Sequence, residues 1–288
     1  MWKLRKCPIC SSREFFIEFK IPPDTFLSNN FTLKIDVINQ IGILSDPDKL
    51  VMGKCKQCGM FYIPYVLDEN FLKQYYQTCI DDELSKSKIY KNIKKMHYLD
   101  ISNNLLSYAY KYMGQDLNLR VFELGCGWGD FLQRIAGPGV DVIGSEFDLR
   151  KIEFCKTKNI RIVKSISDIK DEAKVNILFA NQVFEHLDQP KIVMNELIPT
   201  LAKNFIGYFS VPYYSDDKMK ERQKEVANRI FNDKNINPIE HLNYFTPTIF
   251  HQFLSRYNLQ VFDIETLGIV QADKLKNTSF YFRFKDGY

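Results

Sequence analysis

The sequence predicts an α/β fold with a mainly parallel sheet, preceded by a small cysteine-rich module. Three observations support this prediction. Short β-type runs alternate with helical segments from residue 120 onward, a loop with three glycines follows the first of these runs, and two Cys-x-x-Cys pairs lie within the first 58 residues. With 288 residues, 45% of them hydrophobic, the chain can form one large core or a core plus a small module.

The composition is that of an ordinary globular protein. A net charge of +4 and an isoelectric point near 8.5 are mild, and no dense block of lysine and arginine indicates a strong nucleic-acid binder. Apolar runs fall far short of the roughly 20 residues that a membrane span needs. The N-terminal segment mixes basic with apolar residues instead of forming an export signal. We therefore expect a cytoplasmic chain with reduced cysteines and no membrane insertion; no pattern indicates its oligomeric state.

The two cysteine pairs have the spacing of zinc knuckles. Cys7 and Cys10 form one pair, and Cys55 and Cys58 form the other. Each Cys-x-x-Cys turn directs two thiolates at one centre, so two turns complete a closed, structural zinc site with no open position for catalysis. The 44 residues between the pairs exceed the usual spacing. We expect additional strands within residues 32–44 to fill this gap.

A change of composition predicts the boundary between a zinc-binding module, residues 1–77, and a main domain, residues 78–288. An aromatic, proline-containing stretch gives way there to a strongly charged one. Residues 91–112 then carry apolar side chains at near-helical spacing, which predicts an amphipathic helix leading into the main domain. The β-type runs that predict βαβ units cover residues 120–124, 141–145, 160–163, 177–180 and 205–211.

The glycine loop lies between a predicted strand and a predicted helix, in the stretch FELGCGWGDF at residues 122–131. No Gly-Lys-Ser/Thr follows, which excludes a Walker loop. The third glycine comes one residue too early for a dinucleotide-binding GxGxxG, and Asp130 adds negative charge where a pyrophosphate would lie. Glycines let the backbone approach a flat or extended ligand closely. Glu123 beside them suits a ligand with a cationic amine, so the loop predicts a ligand other than a polyphosphate.

An acid ends the second predicted strand. Glu146 lies 17 residues after Gly129, where a carboxylate can accept both ribose hydroxyls of a bound nucleoside. Phe147 beside it can pack on an adenine ring. Alone, Glu146 is equally well explained as an exposed acid at a strand end. Together with the glycine loop it favours a nucleoside ligand.

Three motifs in this order resemble those of class I S-adenosylmethionine-dependent methyltransferases: ELGCGWG at residues 123–129, GSEF at 144–147 and NQVFEHL at 181–187. The resemblance covers about residues 105–284. It implies a Rossmann-like sheet of seven strands whose last strand is antiparallel, with residues 259–268 and 279–288 supplying the final pair.

The same resemblance implies S-adenosylmethionine as the cofactor and assigns residues to it. The glycine loop would face its methionine and ribose, the acid of the second strand would bind the ribose, and residues after the third and fourth strands would line the adenine and methionine sides. The implied cofactor-binding residues are Glu123, Gly125, Cys126, Gly127, Gly129, Glu146, Phe147, Ser165, Ile166, Asn181 and Gln182.

Methyl transfer to a hydroxyl also needs a group that accepts a proton, and two Glu-His pairs are candidates. One is Glu185-His186 after the fourth strand. The other is Glu240-His241, which we expect to open a helix after an insert, residues 213–240, that would serve as a substrate lid. Histidine is the natural base because its ordinary pKa of about 6.5 lies near working pH. The first pair can equally support the cofactor pocket, and His241 can equally be a packing or helix-cap histidine.

A closer resemblance concerns the acceptor. The cysteine pairs and the Glu240-His241 segment resemble zinc-containing sugar methyltransferases that act on nucleotide-linked deoxysugars, in which a Tyr-x-Glu-His segment provides the catalytic pair. It implies a sugar-like acceptor, and our first hypothesis is O-methylation of a small glycan-type acceptor, a nucleotide sugar or a surface-glycan or capsule precursor. His241 would be the base, Glu240 would orient it, and His186 is a further catalytic candidate. Pro238 stands where that family has tyrosine, which makes C-methylation of a keto deoxysugar the less favoured alternative. The residues expected to line the acceptor are Tyr75, Tyr76 and Tyr244.

Another hypothesis is an RNA methyltransferase that uses the cysteine module for recognition. The 44-residue gap differs from the compact fingers of such enzymes, and acids are interspersed, so nucleic acid is the less favoured partner. A non-catalytic binding protein is the least favoured alternative because the glycine loop and its acids are intact. The basic residues around the knuckles that motivate the RNA hypothesis are Lys3, Arg5, Lys6, Arg13, Lys54 and Lys56.

Overall fold

The computed structural model describes residues 2–23, 45–68, 70–72, 75, 92–114, 118–228, 236–262 and 277–285. The strands expected within residues 32–44 and the boundary expected near residue 77 lie outside the described residues. The chain forms two compact units. The cysteine unit, as we call it, comprises Met1–Lys88, Phe184–Lys191 and Pro212–Phe250, and the sheet unit comprises Ile89–Val183, Ile192–Val211 and His251–Tyr288. The chain therefore leaves the sheet unit twice and returns to it twice.

The elements are numbered in chain order. The described strands are β1 (Trp2–Leu4), β2 (Phe15–Lys20), β3 (Val51–Cys55), β4 (Phe61–Tyr62), β5 (Tyr65–Leu67), β6 (Leu119–Leu124), β7 (Val140–Ser145), β8 (Arg161–Val163), β9 (Val175–Asn181), β10 (Leu201–Pro212), β11 (Asn243–Tyr244), β12 (Leu259–Phe262) and β13 (Asn277–Phe284). The α-helices with described bounds are α1 (Asn92–Met113), α2 (Asp130–Ile135), α3 (Leu149–Thr157), α4 (Pro190–Leu197), α5 (Asp216–Ala227) and α6 (Pro247–Ser255). Short 3₁₀ turns cover Pro47–Lys49, Ile166–Ile169 and Ile198–Thr200.

The sheet unit contains a sheet of seven described strands in the order β12-β13-β10-β9-β6-β7-β8. Strands β10, β9, β6, β7 and β8 pair in parallel, and β12 pairs with β13 in antiparallel register. All five predicted β-type runs are strands of this sheet, and the predicted final pair is β12 and β13. The α/β fold with a seven-stranded, mainly parallel sheet is thus confirmed.

Aromatic rings fill the core beneath the middle of this sheet. Phe131 of α2 stacks on Phe179 of β9 with ring centroids 3.7 Å apart, and Phe179 stacks on Tyr208 of β10 at 5.1 Å. The predicted helix is α1, and its Ile101 and Leu105 are buried in the same core. Such burial is the main favourable contribution to folding. Among the described residues, no helix is long and apolar enough to cross a membrane.

The cysteine unit has its own sheet and core. Strands β11-β4-β3-β2 form one sheet, and β1 pairs with β5 in another. The insert at residues 213–240 contributes Tyr214, Met219 and Ile236 to the core of this unit, where Tyr214 packs edge-on against Tyr244 at 4.9 Å. Helix α5 therefore has an anchored side in this core; the lid role of the insert stays a prediction.

Arg5 connects distant parts of the cysteine unit. Its guanidinium donates to the carbonyl of Ile63 (2.8 Å), to that of Asp188 (2.9 Å), and to the carbonyl of Leu242 (2.5 Å) and the Oδ1 of Asn243 (3.0 Å). Burial lowers the pKa of Arg5 to about 10. Because a buried charge is tolerated only when it is fully hydrogen-bonded, these four acceptors hold the N-terminal segment against β11.

One local prediction is wrong. Glu240 and His241 do not open a helix: residues 238–240 form a turn, and α6 begins at Pro247. Thr246 determines the start, because its hydroxyl oxygen accepts the backbone N–H of Ile249 (3.3 Å) and a proline at the first helical position has no N–H to leave unsatisfied. The Glu-His pair is thereby placed in a turn ahead of β11.

Candidate functional site

The order of the described strands in the sheet unit reverses at β6. From β6 the chain adds β7 and β8 on one side, and β9 then pairs with the other side of β6. In open α/β sheets, ligands bind in the crevice at the carboxyl ends of the strands that flank such a reversal. The loop of residues 125–129 follows β6, and Asn181 ends β9. The fold therefore puts the predicted cofactor residues at the expected edge.

The glycine loop has a backbone that only glycine adopts without strain. Gly127 and Gly129 have φ angles of +56° and +69°, in the left-handed region that L side chains rarely occupy. A Cβ at Gly129 would lie 2.6 Å from Ile160 Cδ1, so a close approach within the protein requires this glycine. A Cβ at Gly127 would meet nothing within 4 Å, so that position borders open space. Gly127 is therefore the point where a ligand can approach the backbone.

Glu146 is held in one orientation at the end of β7. Its Oε1 accepts the backbone N–H groups of Phe147 (2.8 Å) and Asp148 (3.0 Å), and its Oε2 accepts that of Gly127 (3.0 Å). The carboxylate is almost fully buried, whereas the Phe147 ring is 70% exposed. Each carboxylate oxygen has two acceptor positions, so one position, on Oε2, remains for a hydroxyl donor. This arrangement fits the predicted ribose contact, with a largely exposed aromatic residue beside it.

Glu123 is the buried acid of the loop. It is 5% exposed, and its Oε2 has no hydrogen-bond partner among the described residues. Burial, with the nearby negative charge of Asp130 adding to it, raises the pKa of Glu123 well above its ordinary value. A buried carboxylate oxygen without a partner is costly, and a cationic amine would relieve that cost. The residue thus fits a ligand that carries both a nucleoside and an ammonium group.

The ends of β9 and β10 complete this edge. Asn181 donates through Nδ2 to the hydroxyl oxygen of Tyr98 on α1 (2.9 Å), which fixes the amide. Gln182 has a φ of +57° and donates its backbone N–H to the carbonyl of Ser210 (2.8 Å). A non-glycine residue in this region is uncommon, and such residues concentrate at binding sites. Sequence analysis missed Tyr98 and Ser210, and no local pattern marks them.

Three further predicted residues support this edge. Ser165 caps the 3₁₀ turn after β8 with a reciprocal hydrogen-bond pair to Asp168, and Ile166 is buried there. Cys126 is buried, and its Sγ would lie 2.6 Å from a Cβ placed on Gly144 of β7. Its side chain therefore packs the loop onto β7, and only its backbone is available on the open side of the loop.

Replacing Glu146 by alanine is expected to weaken binding of S-adenosylhomocysteine by about 10- to 100-fold, since hydrogen bonds to a charged acceptor contribute about 1.5 to 3 kcal/mol each. The loop also loses its anchor at Gly127. Isothermal titration calorimetry measures the effect. Glu153→Ala is the matched control, because that acid is exposed and its described ion pair is with Lys156; equal affinities of both variants would contradict the assignment.

The four predicted zinc ligands come together in the cysteine unit. Cys7 Sγ lies 3.6 Å from Cys58 Sγ, Cys10 Sγ lies 3.4 Å from Cys55 Sγ, and all four sulfur atoms lie within 4.8 Å of one another. Sulfurs bound at about 2.3 Å to a tetrahedral zinc lie about 3.8 Å apart. Burial raises the pKa of the Cys10 thiol to about 11, so without a cation this thiol stays protonated near neutral pH. The donor set fits zinc.

The two knuckles also share a backbone feature. The N–H of Ser11 donates to the carbonyl of Cys7, and the N–H of Gly59 donates to the carbonyl of Cys55, each at 3.0 Å. Ser11 and Gly59 have φ angles of +65° and +76°. This turn directs both thiols of one Cys-x-x-Cys pair to the same side. Each pair can therefore supply half of the four-cysteine site.

A second cluster of metal-ligating groups lies in the cysteine unit. We call Glu185, His186 and His241 the histidine cluster; one donor atom of each lies within 4.8 Å of the others. The two imidazole rings meet edge to face at 4.7 Å, and His186 Nε2 lies 3.8 Å from Glu185 Oε1. Glu185 is fully buried, and burial raises the pKa of its carboxyl to about 8. The cluster can thus exchange protons or bind a cation.

Backbone hydrogen bonds bring the histidine cluster together. The carbonyl of Glu185 accepts the N–H groups of Leu242 (2.6 Å) and Asn243 (3.0 Å). The buried Asn243 amide donates to the carbonyls of Phe184 (2.8 Å) and Leu187 (2.7 Å). The turn after β9 is therefore joined to the segment before β11. This brings the two predicted Glu-His pairs into the same part of the cysteine unit.

The remaining predicted residues differ in their surroundings. Tyr75 donates its hydroxyl to Glu240 Oε1 (2.5 Å), so Glu240 is positioned by a tyrosine. Tyr244 is fully buried in the core of the cysteine unit. Tyr76 lies outside the described residues.

Comparison with known proteins agrees with this architecture. The family described as "Methyltransferase domain" matches residues 93–264, more than half of the chain. No curated protein sequence matches the chain.

Several solved methyltransferases have a similar fold. The plantazolicin methyltransferase BpumL in complex with SAH has 16% identity and a TM-score of 0.53, over 74% of this chain and 94% of that one. Its complex with a pentazolic desmethylPZN analog and SAH has 14% identity and a TM-score of 0.54, and the match covers 75% of this chain and 95% of that one. Magnesium protoporphyrin IX methyltransferase (ChlM) from Synechocystis PCC 6803 with bound SAH has 11% identity and a TM-score of 0.53, and the match covers 76% of this chain and 100% of that one. With its family match and this sheet, the chain belongs to the methyltransferase domain family and is an S-adenosylmethionine-dependent methyltransferase.

Proposed function

We propose that the enzyme O-methylates a hydroxyl of a small glycan-type acceptor, a nucleotide sugar or a surface-glycan or capsule precursor, with His241 as the general base. The observation that carries the proposal is the histidine cluster. When bound, S-adenosylmethionine supplies an electrophilic methyl group on a sulfonium. Methylating a hydroxyl releases one proton, and an imidazole is the side chain best suited to accept it near neutral pH.

The surroundings of His241 support the base assignment. The imidazolium that forms on proton uptake would carry a positive charge beside the buried carboxyl of Glu185 and would favour its ionised form. An opposite charge within about 4 to 6 Å stabilises a charged form. His186, packed edge to face on His241, restricts the ring to few orientations. Glu240, bonded to Tyr75, would bind an acceptor hydroxyl beside the base.

The residues proposed to bind the cofactor belong to the sheet unit. Glu146 would accept a ribose hydroxyl, Glu123 would pair with the amino group of the methionine part, and the loop backbone at Gly127 would lie against the ligand. Asn181 and Gln182 would line the methionine side. The other members of the proposed set are Gly125, Cys126, Gly129, Phe147, Ser165 and Ile166.

Zinc would complete the four-cysteine site as a structural ion. Four thiolates close the coordination sphere, so no position remains for a substrate or a water nucleophile. We assign it to the stability of the cysteine unit, on the basis of the sulfur separations.

The RNA alternative has weaker support from the basic residues that motivated it. Arg5 is buried and hydrogen-bonded to carbonyls. Lys54 pairs with Asp216 at 2.6 Å, and Lys56 pairs with Glu14 at 3.8 Å. Phosphate binding needs cations that can release counterions, and cations engaged by acids contribute less to it.

A methyl-transfer screen tests the acceptor class. The enzyme and S-adenosylmethionine are incubated with nucleotide sugars, glycan precursors and structured RNA, and the mass gain of each acceptor is measured. We expect methylation of a sugar hydroxyl, located by fragmentation, and no methylation of RNA. Methylation of RNA with salt-sensitive binding would replace the proposal by the RNA alternative, and methylation at carbon would replace it by C-methylation.

A further inference from the structure

We propose that the histidine cluster of Glu185, His186 and His241 is also a binding site for a divalent cation of the zinc, nickel or cobalt class. Three protein ligands of this kind, two imidazoles and one carboxylate, are a common set for such ions, with coordination positions left open. The separation of 3.8 Å between His186 Nε2 and Glu185 Oε1 is slightly longer than the roughly 3.0 to 3.4 Å between ligands at about 2.1 Å from one metal.

The carboxylate is the second, independent observation. The Glu185 side chain is 1% exposed, and no other described residue donates a hydrogen bond to either of its oxygens. Buried polar groups are almost always hydrogen-bonded, and buried charges are paired or bind metals. A cation placed between Glu185 and the imidazoles would satisfy both carboxylate oxygens at once.

The geometry also provides access and rigidity. The His186 side chain is 28% exposed, so an ion can enter from the imidazole side while the carboxylate lies beneath it. The backbone bonds from Leu242 and Asn243 to the Glu185 carbonyl hold the cluster without using any of the three side-chain donors. A preformed set of ligands lowers the entropy cost of binding.

The cation and the proposed base function would compete. A nitrogen of His241 that coordinates a metal cannot accept a proton, so occupancy of the site should inhibit methyl transfer. This consequence rests on the proposed function, whereas the binding itself does not. The site would make turnover sensitive to free divalent cations.

The binding experiment uses the full chain already loaded with one zinc per molecule, confirmed by metal analysis. Further Zn²⁺ is titrated calorimetrically in the absence of acceptor. We expect one additional equivalent to bind. Glu185→Gln, which keeps the shape and removes the charge, should weaken this second equivalent by more than the 10- to 100-fold that loss of an outer-shell metal partner costs. His186→Asn should do the same.

His251→Ala is the matched control, because His251 is an exposed histidine in the sheet unit. It should bind the second equivalent as the wild type does. Binding of the first zinc equivalent and the melting temperature show whether Glu185→Gln is folded. If that variant is not folded, His186→Asn provides the test. A wild-type chain that binds only one zinc, or a folded Glu185→Gln that binds two as tightly as wild type, overturns the proposal.

Turnover measured during the same titration separates the two proposals. Inhibition that follows occupancy of the second site supports competition at His241. Turnover that rises with occupancy overturns the competition and with it the base assignment. If the second zinc binds and His241→Gln is fully active without it, the proposed function fails and the cation site stands.

Discussion

Replacing His241 by alanine is expected to lower turnover by about 10² to 10⁴, the usual contribution of a positioned general base. Binding of S-adenosylhomocysteine should be unchanged, because the residues proposed to hold the cofactor belong to the sheet unit and His241 belongs to the cysteine unit. Turnover with the acceptor found in the screen and calorimetry with S-adenosylhomocysteine measure the two effects.

Two controls distinguish a base from a packing residue. Added imidazole should restore part of the activity of His241→Ala, since a small base can occupy the space of the missing ring. His251→Ala, which removes an exposed histidine, should turn over as wild type does. Full activity of His241→Ala, or a loss of cofactor affinity that matches the loss of turnover, would disprove the assignment.

Removing the zinc proposed for the four-cysteine site is expected to unfold the cysteine unit. Structural zinc binds with an apparent free energy of about 10 to 16 kcal/mol in zinc-finger peptides, which is comparable to the whole stability of a typical domain at about 5 to 15 kcal/mol. Chelation, or the variant Cys58→Ser, should therefore increase hydrogen exchange across β2, β3, β4 and β11. Strands β6 to β10 of the sheet unit should stay protected.

Zinc analysis and a thermal melt complete this test. Cys155→Ser is the matched control, because Cys155 is a buried cysteine of the sheet unit outside the four-cysteine site. It should retain zinc and the protection of the cysteine unit. If Cys58→Ser binds zinc and melts as wild type does, the four-cysteine site has no structural role.

The parts of the fold that follow from local patterns were predictable from the sequence. Strands β6 and β9 are almost entirely buried, so each is a mainly apolar run bounded by turn residues. The loop with Gly127 follows β6 because only glycine adopts its φ angles without strain. The order of motifs then indicated the family, and the sheet and the family match confirmed it.

Contacts between distant segments could not be predicted in this way. Tyr98 meets Asn181 across 83 residues, and nothing near Tyr98 in sequence indicates it. The burial of Glu185 was only weakly indicated by its position as the one acid in the stretch VFEHL. Its complete burial depends on the turn that the Asn243 amide holds through two hydrogen bonds. The helix expected at Glu240 failed because Thr246 and Pro247 provide a better start a few residues later.

The hydrogen bond between Arg5 and Asn243 spans 238 residues of sequence, and this determines when the cysteine unit can be completed. At about 5 to 20 residues per second, ribosomal synthesis separates these two residues by roughly 10 to 50 s. During that interval both cysteine pairs have left the ribosome, whereas β11, which pairs with β4, has not been made. The first residues of the chain thus belong to the unit whose last described strand is made after β6 to β10. Zinc bound early by the four thiols would keep the incomplete cysteine unit from aggregating.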